Sequence, residues 1–468
     1  MKKTLLFLFI IVILSPFSWA HAQNDCEKEL QKLIVVVESD YPGFSEKTKN
    51  KIAYNYFKKN LINKSSICNA NECLAILKEY LTFFRDGHLF IVDNSSYLQR
   101  SKMDKKEIIK PGYNWHKKII NSKDSLEGIW KNEDFKVGII KTESNSYKAL
   151  IISARDSYWK PNDILFSLDT NHQGNYHNND TSYFKDSYTL KNPKTLFFNK
   201  TRHYFLKDNA NTLDTIEIKN RLDRLLGLYI EKLTPKTTLL KLEKFDYSFV
   251  EKIAKLIKDN SQLLEESENL IIDLRGNGGG TTDAFAPLIP YIMTGKTRSM
   301  NVEHLITGFL ISGIENYSKG LPIDEEHKSQ KSELKEKLIY YKENLGKFVL
   351  NPGQEKVDVN NYEPIAKSPK KIVFLVDKKV GSSAEALLLL AKQSQKVKVI
   401  GTPTQGVLDY ANAYISNYSY NGFPLIIPTY RSLRLPDYPI DNIGIQPDIY
   451  LDKTVPDWIR FAIGYLEN

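Results

Sequence analysis

Hydrophobic residues in the first part of the chain are spaced as on the buried faces of helices. From Cys26 to Phe84 they recur three or four positions apart, which is the spacing of one face of an amphipathic helix. The Tyr41-Pro42-Gly43 triplet interrupts this pattern, because proline and glycine favour a break between helices. The pattern predicts an N-terminal helical bundle over residues 23–95.

A different pattern occupies residues 120–225. Short runs of β-branched and aromatic residues, bounded by Asn, Asp and Ser, predict strands at Phe135–Lys141, Tyr147–Ser153 and Thr195–Phe198. They indicate a small inserted β domain. Lys160–Leu165 is similar to a strand of PDZ domains but lacks their glycines, whereas Leu126–Trp130 resembles the start of a lipocalin-like barrel. A lipocalin-like fold is therefore expected rather than a PDZ fold.

Residues 228–468 alternate between apolar runs and helix-like segments. The apolar runs are Thr238–Leu242, Leu270–Leu274, Ile372–Val376 and Val397–Gly401, and the helix-like segments include Phe249–Leu264 and Ala384–Gln393. Continuous apolar strands that alternate with helices predict a buried, largely parallel sheet and hence an α/β core. Residues at about 296–370 interrupt this alternation and are interpreted as an insertion or lid.

The N-terminus has the pattern of an export signal. Lys2 and Lys3 precede an apolar run from Leu5 to Leu14, and Ala20-His21-Ala22 supplies a small-x-small cleavage site. The apolar run is well short of the roughly 20 residues that a membrane-spanning helix needs. Residues 1–22 are predicted to be a signal peptide, and the mature protein is expected to be periplasmic or extracellular, without stable membrane insertion.

Composition and charge change this picture little. The net charge is +9, but lysines are scattered among acidic residues, which is typical of a solvated surface and not of a nucleic-acid-binding one. Cys26, Cys68 and Cys73 indicate one disulfide and one free thiol in an oxidising compartment; Cys68 with Cys73 is the local candidate, and the pairing stays open. No Cys/His spacing suggests a metal site, so no metal or other cofactor is expected. The oligomeric state is left open.

Two turns of the predicted core carry candidate chemistry. Val380–Glu385 follows an apolar strand and opens a helix, so the Ser382 hydroxyl is expected at the sheet edge, near a helix N-terminus. Taken alone, Ser382 fits a helix cap better than a nucleophile, since Glu385 completes a capping-box spacing. Leu270–Gly280 ends in three glycines, whose N–H groups can approach a ligand closely. A phosphate loop would need a Lys-Ser/Thr pair that is absent here.

Together these turns resemble those of the tail-specific (C-terminal-processing) serine peptidases and their relatives, tricorn protease and the retinoid-binding interphotoreceptor repeats. The four family motifs occur in order, as Asp273-Leu274-Arg275-Gly276-Asn277-Gly278-Gly279-Gly280, Ser382 three positions before Glu385, Gly401-Thr402-Pro403-Thr404-Gln405-Gly406, and Gly444-Ile445-Gln446-Pro447-Asp448. The resemblance implies a crotonase-like (ClpP/crotonase-type) α/β peptidase core with Ser382 as nucleophile. It also implies an oxyanion hole formed by the N–H groups of Gly279 and Ser383. Asp273, Arg275 and Asn277 are expected to hold the glycine turn.

The resemblance also separates two catalytic variants. Tail-specific peptidases use a Ser-Lys dyad whose lysine directly follows the third motif, where this chain has Val407. The tricorn-like branch uses a histidine from an upstream D-x-H motif, which Asp86-Gly87-His88 matches, and an acidic residue three positions before the fourth motif, here Asp441. The family more often has glutamate at that position. The resemblance thus implies His88 as general base, oriented by Asp441.

The predicted function is an exported serine peptidase that hydrolyses peptide or protein substrates through an acyl-enzyme. Two alternatives stay open: a catalytically inactive binding protein on the same fold, as in the retinoid-binding repeats, and an acyl esterase. A pure binding protein has no need for His88, Ser382, an acid and the glycine turn together. The residues themselves do not distinguish a peptide from an ester substrate.

Overall fold

The computed structural model describes residues 17–92, 100–102, 115–120, 122–142, 146–156, 158–177, 182–191, 194–208, 222–322, 324–325, 327–363 and 369–468. The chain divides into two compact units, the first from Met1–Ile91 and Gly227–Asn468, the second from Val92–Leu226. The apolar run of the predicted signal peptide lies outside the described residues, and only the helical backbone is described for residues 17–24. Within the described ranges, no helix combines the length and the apolar character needed to cross a bilayer.

Four helices open the first unit, and they are α1 (Phe17–Asp40), α2 (Phe44–Lys47), α3 (Lys51–Ser65) and α4 (Ala70–Thr82). The predicted break at Tyr41-Pro42-Gly43 is confirmed between α1 and α2. Asn50 caps α3, and Asn69 forms a capping box with Glu72 at the start of α4. The helices share one buried cluster with Leu425, so they pack against the strands of the same unit.

The second unit contains a closed ring of eight antiparallel strands. They are β3 (Gly128–Lys131), β4 (Phe135–Lys141), β5 (Tyr147–Ala154), β6 (Ile164–Leu168), β7 (Gln173–His177), β8 (Ser182–Lys191), β9 (Thr195–Phe198) and β10 (Tyr204–Lys207). Each strand pairs with its neighbour in sequence, and β10 pairs with β3 to close the ring. β2 (Arg100–Lys102) adds to β8, and α5 (Trp115–Ile120) lies against β3 and β4. Trp130, Phe166 and Phe205 are fully buried in the cluster that the ring encloses.

A six-stranded sheet forms the core of the first unit, in the order β11–β12–β13–β18–β19–β24. These strands are β11 (Leu228–Lys232), β12 (Thr237–Leu242), β13 (Asn269–Asp273), β18 (Lys371–Val376), β19 (Val397–Gly401) and β24 (Ile449–Tyr450). β11 is antiparallel to β12, and every other neighbouring pair is parallel. The predicted strands and their largely parallel arrangement are confirmed, since β13 and β18 are buried on both faces.

Helices pack around this sheet, and those at Val250–Asp259 and Ser383–Ala391 follow the carboxyl ends of β12 and β18. They are α6 (Val250–Asp259), α7 (Ser261–Glu266), α8 (Ile289–Ile292), α11 (Ser383–Ala391) and α12 (Trp458–Glu467), with short 3₁₀ turns at Tyr247–Phe249 and Thr282–Leu288. Ala462 and Leu466 of α12 pack with Ile271 and Val373 on one face. Because β13, β18 and β19 are parallel, the turns that follow them meet at one edge, where open α/β sheets bind ligands.

A long segment interrupts the sheet between β13 and β18. It forms β14 (Lys296–Met300), β15 (Val302–Leu305), α9 (Gly308–Gly320), α10 (Lys328–Glu343), β16 (Phe348–Val349) and β17 (Val357–Asn361). β14 pairs with β17, while β15 pairs with β16 and with β23 (Tyr430–Ser432), which in turn pairs with β20 (Tyr410–Ala411). β1 (Phe90–Ile91), β22 (Phe423–Ile427) and β21 (Tyr414–Tyr420) form a further sheet. The inserted segment is thus hydrogen-bonded directly to β23, and through β23 it joins the sheet that contains β20.

The cysteines pair differently from the local candidate. Cys26 of α1 is bonded to Cys73 of α4 across a sequence separation of 47, and Cys68 is a free, buried thiol. One disulfide and one free thiol are confirmed, and the Cys68–Cys73 candidate is wrong. The physical reason is tertiary packing: α1 and α4 share the buried cluster that contains both bonded cysteines.

Replacing Cys26 and Cys73 together by alanine is expected to destabilise the first unit by about 4 kcal/mol, because the bond closes a long loop of the unfolded chain. Denaturant unfolding of the oxidised protein and of the double variant measures this difference. Cys68→Ala is the matched control and should lose far less. Alkylation of more than one thiol in the native protein would contradict the pairing.

Candidate active site

Ser382 lies between the carboxyl end of β18 and the first residue of α11. Its φ is +53° and its ψ is −123°, a backbone conformation that costs a non-glycine residue on the order of 1–3 kcal/mol. An ordinary helix cap has extended backbone angles, so capping alone does not account for this turn. A strained serine between a strand and a helix is the arrangement that exposes a nucleophilic hydroxyl in other hydrolases.

The carboxylate of Glu385 holds the strained turn in place. It is fully buried, and its Oε2 accepts the N–H of Ser382 at 3.0 Å. Its other donors are the hydroxyl of Thr404 and the N–H of Gly406 in the third motif, and the N–H of Val407, which directly follows that motif. The sequence indicated a helix-terminal residue that could also help to position the Ser382 turn, but contacts to residues far along the chain leave no trace in local spacing.

The polar residues of the first motif hold the glycine turn, as predicted. Asp273 accepts three hydrogen bonds from Arg275, two of them from the guanidinium, and lies 3.3 Å from the ammonium of Lys241. Asn277 donates to the carbonyl of Leu242 at 3.0 Å. Its own carbonyl accepts the N–H of Gly381 at 3.0 Å, which joins the glycine turn to the nucleophile turn.

Gly279 lies directly against Ser382. A Cβ at this position would come within 2.7 Å of the Cβ of Ser382 and 2.9 Å of the backbone nitrogen of Ser383, so only glycine fits. The N–H of Gly279 donates to Oδ1 of Asn277 at 2.9 Å, so this predicted oxyanion donor is engaged within its own turn. The N–H of Ser383 belongs to the first turn of α11, where helical N–H groups lack intrahelical acceptors.

His88 is held by hydrogen bonds on both its backbone and its ring. Its N–H donates to Oδ1 of the buried Asp86 at 2.8 Å, and its ring Nδ1 donates to the carbonyl of Tyr410 at 2.8 Å. A carbonyl can only accept, so Nδ1 carries the proton and Nε2 carries the lone pair. Burial lowers the pKa of His88 below its usual value, so the ring is neutral at neutral pH. These are the properties of a general base.

Val407 bridges the histidine and serine turns. A Cβ on Gly87 would come within 2.4 Å of its Cγ1, and a Cβ on Gly381 within 3.0 Å of its Cγ2. The valine side chain therefore contacts the residue before His88 and the residue before Ser382. The structure thus brings the two predicted turns together at the position where Ser-Lys peptidases have their lysine.

Asp441 does not hydrogen-bond to the histidine ring. Its Oδ1 accepts the N–H groups of Leu408 and Asp409 at 2.9 and 2.8 Å. Its Oδ2 is buried, has no hydrogen-bond partner among the described residues, and lies 4.0 Å from the ammonium of Lys47. The charge of Asp441 still acts on the ring, since it raises the pKa of His88 against the larger effect of burial.

Asp441 and Asp86 form a pair of buried acids behind the histidine. Burial and the nearby charge of Asp86 raise the pKa of Asp441 to about 7. Burial likewise raises the pKa of Asp86 to about 6, although hydrogen bonds from His88 and Tyr41 lower it. The main cause is that removal from water disfavours the charged form of each carboxylate, and the charge of Asp86 adds to this effect at Asp441.

Sequence reasoning did not find Tyr410 or Tyr41. Tyr410 acts through a backbone carbonyl, which any residue could supply, so no side-chain pattern marks it. The hydroxyl of Tyr41 donates to Oδ2 of Asp86 at 2.8 Å, and its only signal was the helix break that follows it. Among the described residues, no group of three or more His, Cys, Asp and Glu side chains is arranged to hold a metal ion.

A serine turn, a glycine turn and a neutral histidine at one edge of a parallel sheet are features of a serine hydrolase. Residues 236–451 match the model of peptidase family S41. This part of the chain belongs to that family, and the protein is a serine peptidase by class.

Solved structures are similar over nearly the whole chain. Mature CPAF is similar over 96% of this chain and 96% of its own, with a TM-score of 0.50 and 12% sequence identity. The photosystem II D1 C-terminal processing protease covers 92% of this chain and 94% of its own, with a TM-score of 0.37 and 11% identity. The tricorn protease covers 95% of this chain and 37% of its own, with a TM-score of 0.38 and 11% identity. No curated protein matches the sequence. The likeness to CPAF concerns the mixed helix-and-sheet fold.

Glu385→Gln is expected to slow the reaction of Ser382 with a fluorophosphonate by tenfold or more and to cost about 2 kcal/mol of stability. The amide NH₂ would face two N–H donors that the carboxylate now accepts. The labelling rate of the folded fraction, with thermal unfolding in parallel, measures both effects. Glu251→Gln makes the same change at an exposed site on α6 and should leave both the labelling rate and the stability unchanged. If Glu385→Gln is labelled at the wild-type rate, the carboxylate of Glu385 is not needed to hold the Ser382 turn in its reactive conformation.

Asp441→Asn is expected to lower the labelling rate at pH 8 by only about 10- to 100-fold, because the Tyr410 carbonyl fixes the imidazole tautomer. Where a carboxylate itself holds the imidazole, the same change costs about 10⁴-fold. The rate constants of Asp441→Asn and His88→Ala, compared with wild type, test this, and the exposed Asp437→Asn is the control. Equal losses in Asp441→Asn and His88→Ala would mean that the carboxylate holds the ring directly during reaction.

Proposed function

We propose that the protein is an exported serine peptidase of the Ser-His type, in the tricorn-like branch of its family, with a crotonase-like core. Ser382 is the nucleophile and His88 the general base. The observation that carries this proposal is the bridging contact of Val407 with the residues before His88 and Ser382. A valine cannot serve as the base of a Ser-Lys dyad, and the neutral imidazole next to it can accept a proton.

The proposed chemistry follows the usual course of acyl transfer. Oγ of Ser382 attacks the scissile carbonyl while Nε2 of His88 accepts the hydroxyl proton. The Tyr410 carbonyl keeps the proton on Nδ1, and the charge of Asp441 stabilises the imidazolium that forms. The imidazolium then gives its proton to the leaving amine, and a water molecule attacks the acyl-enzyme by the same route.

The N–H groups of Ser383 and Gly279 are the proposed oxyanion donors, each of the kind worth about 3 kcal/mol in a transition state. The contact of Gly279 with Ser382 and Ser383 supports this assignment. Because the Gly279 N–H donates to Asn277, it must be shared with the oxyanion or turn toward it when substrate binds. Peptide or protein substrates are proposed from family membership.

The domain assignment is also a proposal: a signal peptide at 1–22, a helical bundle at 23–95, a lipocalin-like domain at 120–225, and a peptidase core at 228–468 with an insertion at about 296–370. The closed meander of eight strands supports the lipocalin-like part. The Cys26–Cys73 disulfide supports export, because such bonds persist in oxidising compartments.

Fluorophosphonate labelling of the mature protein tests the proposed pairing. Wild type is expected to be labelled at Ser382, Ser382→Ala not at all, and His88→Ala at least a hundredfold more slowly, in line with the contribution of general bases. Peptide mapping by mass spectrometry identifies the labelled residue, and a panel of short peptides and esters then separates peptidase from esterase activity. Absence of labelling in folded wild type would contradict the proposal and favour a binding protein.

A further inference from the structure

Lys47 faces the buried acids behind His88. It is the last residue of α2, and its Nζ lies 4.0 Å from Oδ2 of Asp441 and 5.3 Å from the centroid of the Tyr410 ring. The side chain of Lys47 is 22% exposed and that of Asp441 is 3% exposed. Attraction between charges at this distance is strong where water is largely excluded. Lys47 therefore lies beside the carboxylate of Asp441 and beside the ring of Tyr410, the residue whose carbonyl accepts from His88.

Other charged and titratable groups surround the carboxylate of Asp441. They are Asp86, Asp409, His88, Tyr41, Tyr410 and Tyr430. Arg434 is engaged with Asp409 at 3.2 Å. Glu46, beside Lys47, pairs with Lys49 at 3.8 Å and Arg431 at 3.9 Å. Among these described groups, Lys47 is the cation whose charge favours ionisation of both Asp441 and Asp86.

The free-energy cost of ionising both Asp441 and Asp86 is high, because both carboxylates are buried and the single ammonium of Lys47 faces them. Two N–H groups donate to Oδ1 of Asp441, but Oδ2 has no hydrogen-bond partner among the described residues, so the ammonium of Lys47 is the positive charge that faces it. Asp86, by contrast, accepts hydrogen bonds from Tyr41 and His88. Loss of the cation would therefore leave a proton on Asp441 to higher pH, and a neutral Asp441 cannot stabilise an imidazolium on His88.

We propose that Lys47 is a positioning residue of the active site, whose ammonium keeps Asp441 ionised beside His88. The inference rests on the proposed function. The segment between α1 and α3 then places two residues behind His88. Lys47 lies beside Asp441, and the hydroxyl of Tyr41 donates to Asp86.

The test is the pH dependence of the labelling rate at Ser382. Lys47→Met is expected to move the acid limb upward by about one pH unit, because removing a nearby cation raises the pKa of a carboxylate. The rate then falls about fivefold at pH 7, where Asp441 of the wild type is about half ionised, and stays within about twofold of wild type at pH 9. Lys47→Arg should restore the wild-type limb. Lys49→Met removes the same charge from a side chain that is 74% exposed and should leave the limb unchanged.

A second background shows whether Lys47 acts through Asp441. In Asp441→Asn protein, Lys47→Met should produce no further shift, as expected for two coupled residues. An equal loss of rate at every pH would reduce Lys47 to a structural role and overturn the proposal. The same shift in Lys49→Met, or a shift that persists in the Asp441→Asn background, would also overturn it.

A stability measurement in Ser382→Ala protein does not depend on catalysis. Asp441 and Asp86 keep protons that the unfolded chain loses above about pH 4, so the contribution of these two groups to folded-state stability falls as pH rises and levels off above about pH 7. Lys47→Met should extend this fall above pH 7, and Lys49→Met should not. Wild type that is unlabelled at Ser382 would refute the proposed function, while the stability profile would still decide the role of Lys47.

Discussion

The buried carboxylate of Glu385 is the interaction on which the rest of the active site depends. A carboxylate removed from water is tolerated only when it is well hydrogen-bonded, and Glu385 accepts from Ser382, Thr404, Gly406 and Val407. Its place in the first turn of a helix is favourable for a negative charge. The strained Ser382 backbone persists because these bonds over-determine it.

Through this carboxylate the separate motifs become one hydrogen-bonded unit. Thr404 donates to Glu385 and accepts the N–H of Ile445, which attaches the fourth motif to the third. The carbonyl of Asn277 accepts the N–H of Gly381, which attaches the first motif to the second. The motifs are distant in sequence and meet because parallel strands end at one edge of the sheet.

This explains which parts of the structure could be predicted from the sequence. The apolar runs of β13 and β18 predicted a buried parallel sheet, and glycines beside polar residues predicted turns at its edge. Pairings that depend on tertiary packing could not be predicted, and the Cys26–Cys73 bond between α1 and α4 is one of them. Spacing alone favoured a cap at Ser382, since a capping box and a nucleophile turn share the same residues.

Aspartate at position 441 is shorter than the glutamate that is more common in the family. Here the Tyr410 carbonyl holds the His88 ring, and Asp441 acts on the ring through its charge. The carboxylate of Asp441 accepts two N–H groups of the segment just before Tyr410, at Leu408 and Asp409. Asp409 in turn accepts the N–H of Asp441, so the two segments hold each other. These bonds fix the start of β20, whose Tyr410 carbonyl then holds the imidazole. Asp441 thus helps to position the Tyr410 carbonyl through the backbone and acts on the ring through its charge, so in the proposed mechanism the ionisation state of Asp441 matters more than a direct contact.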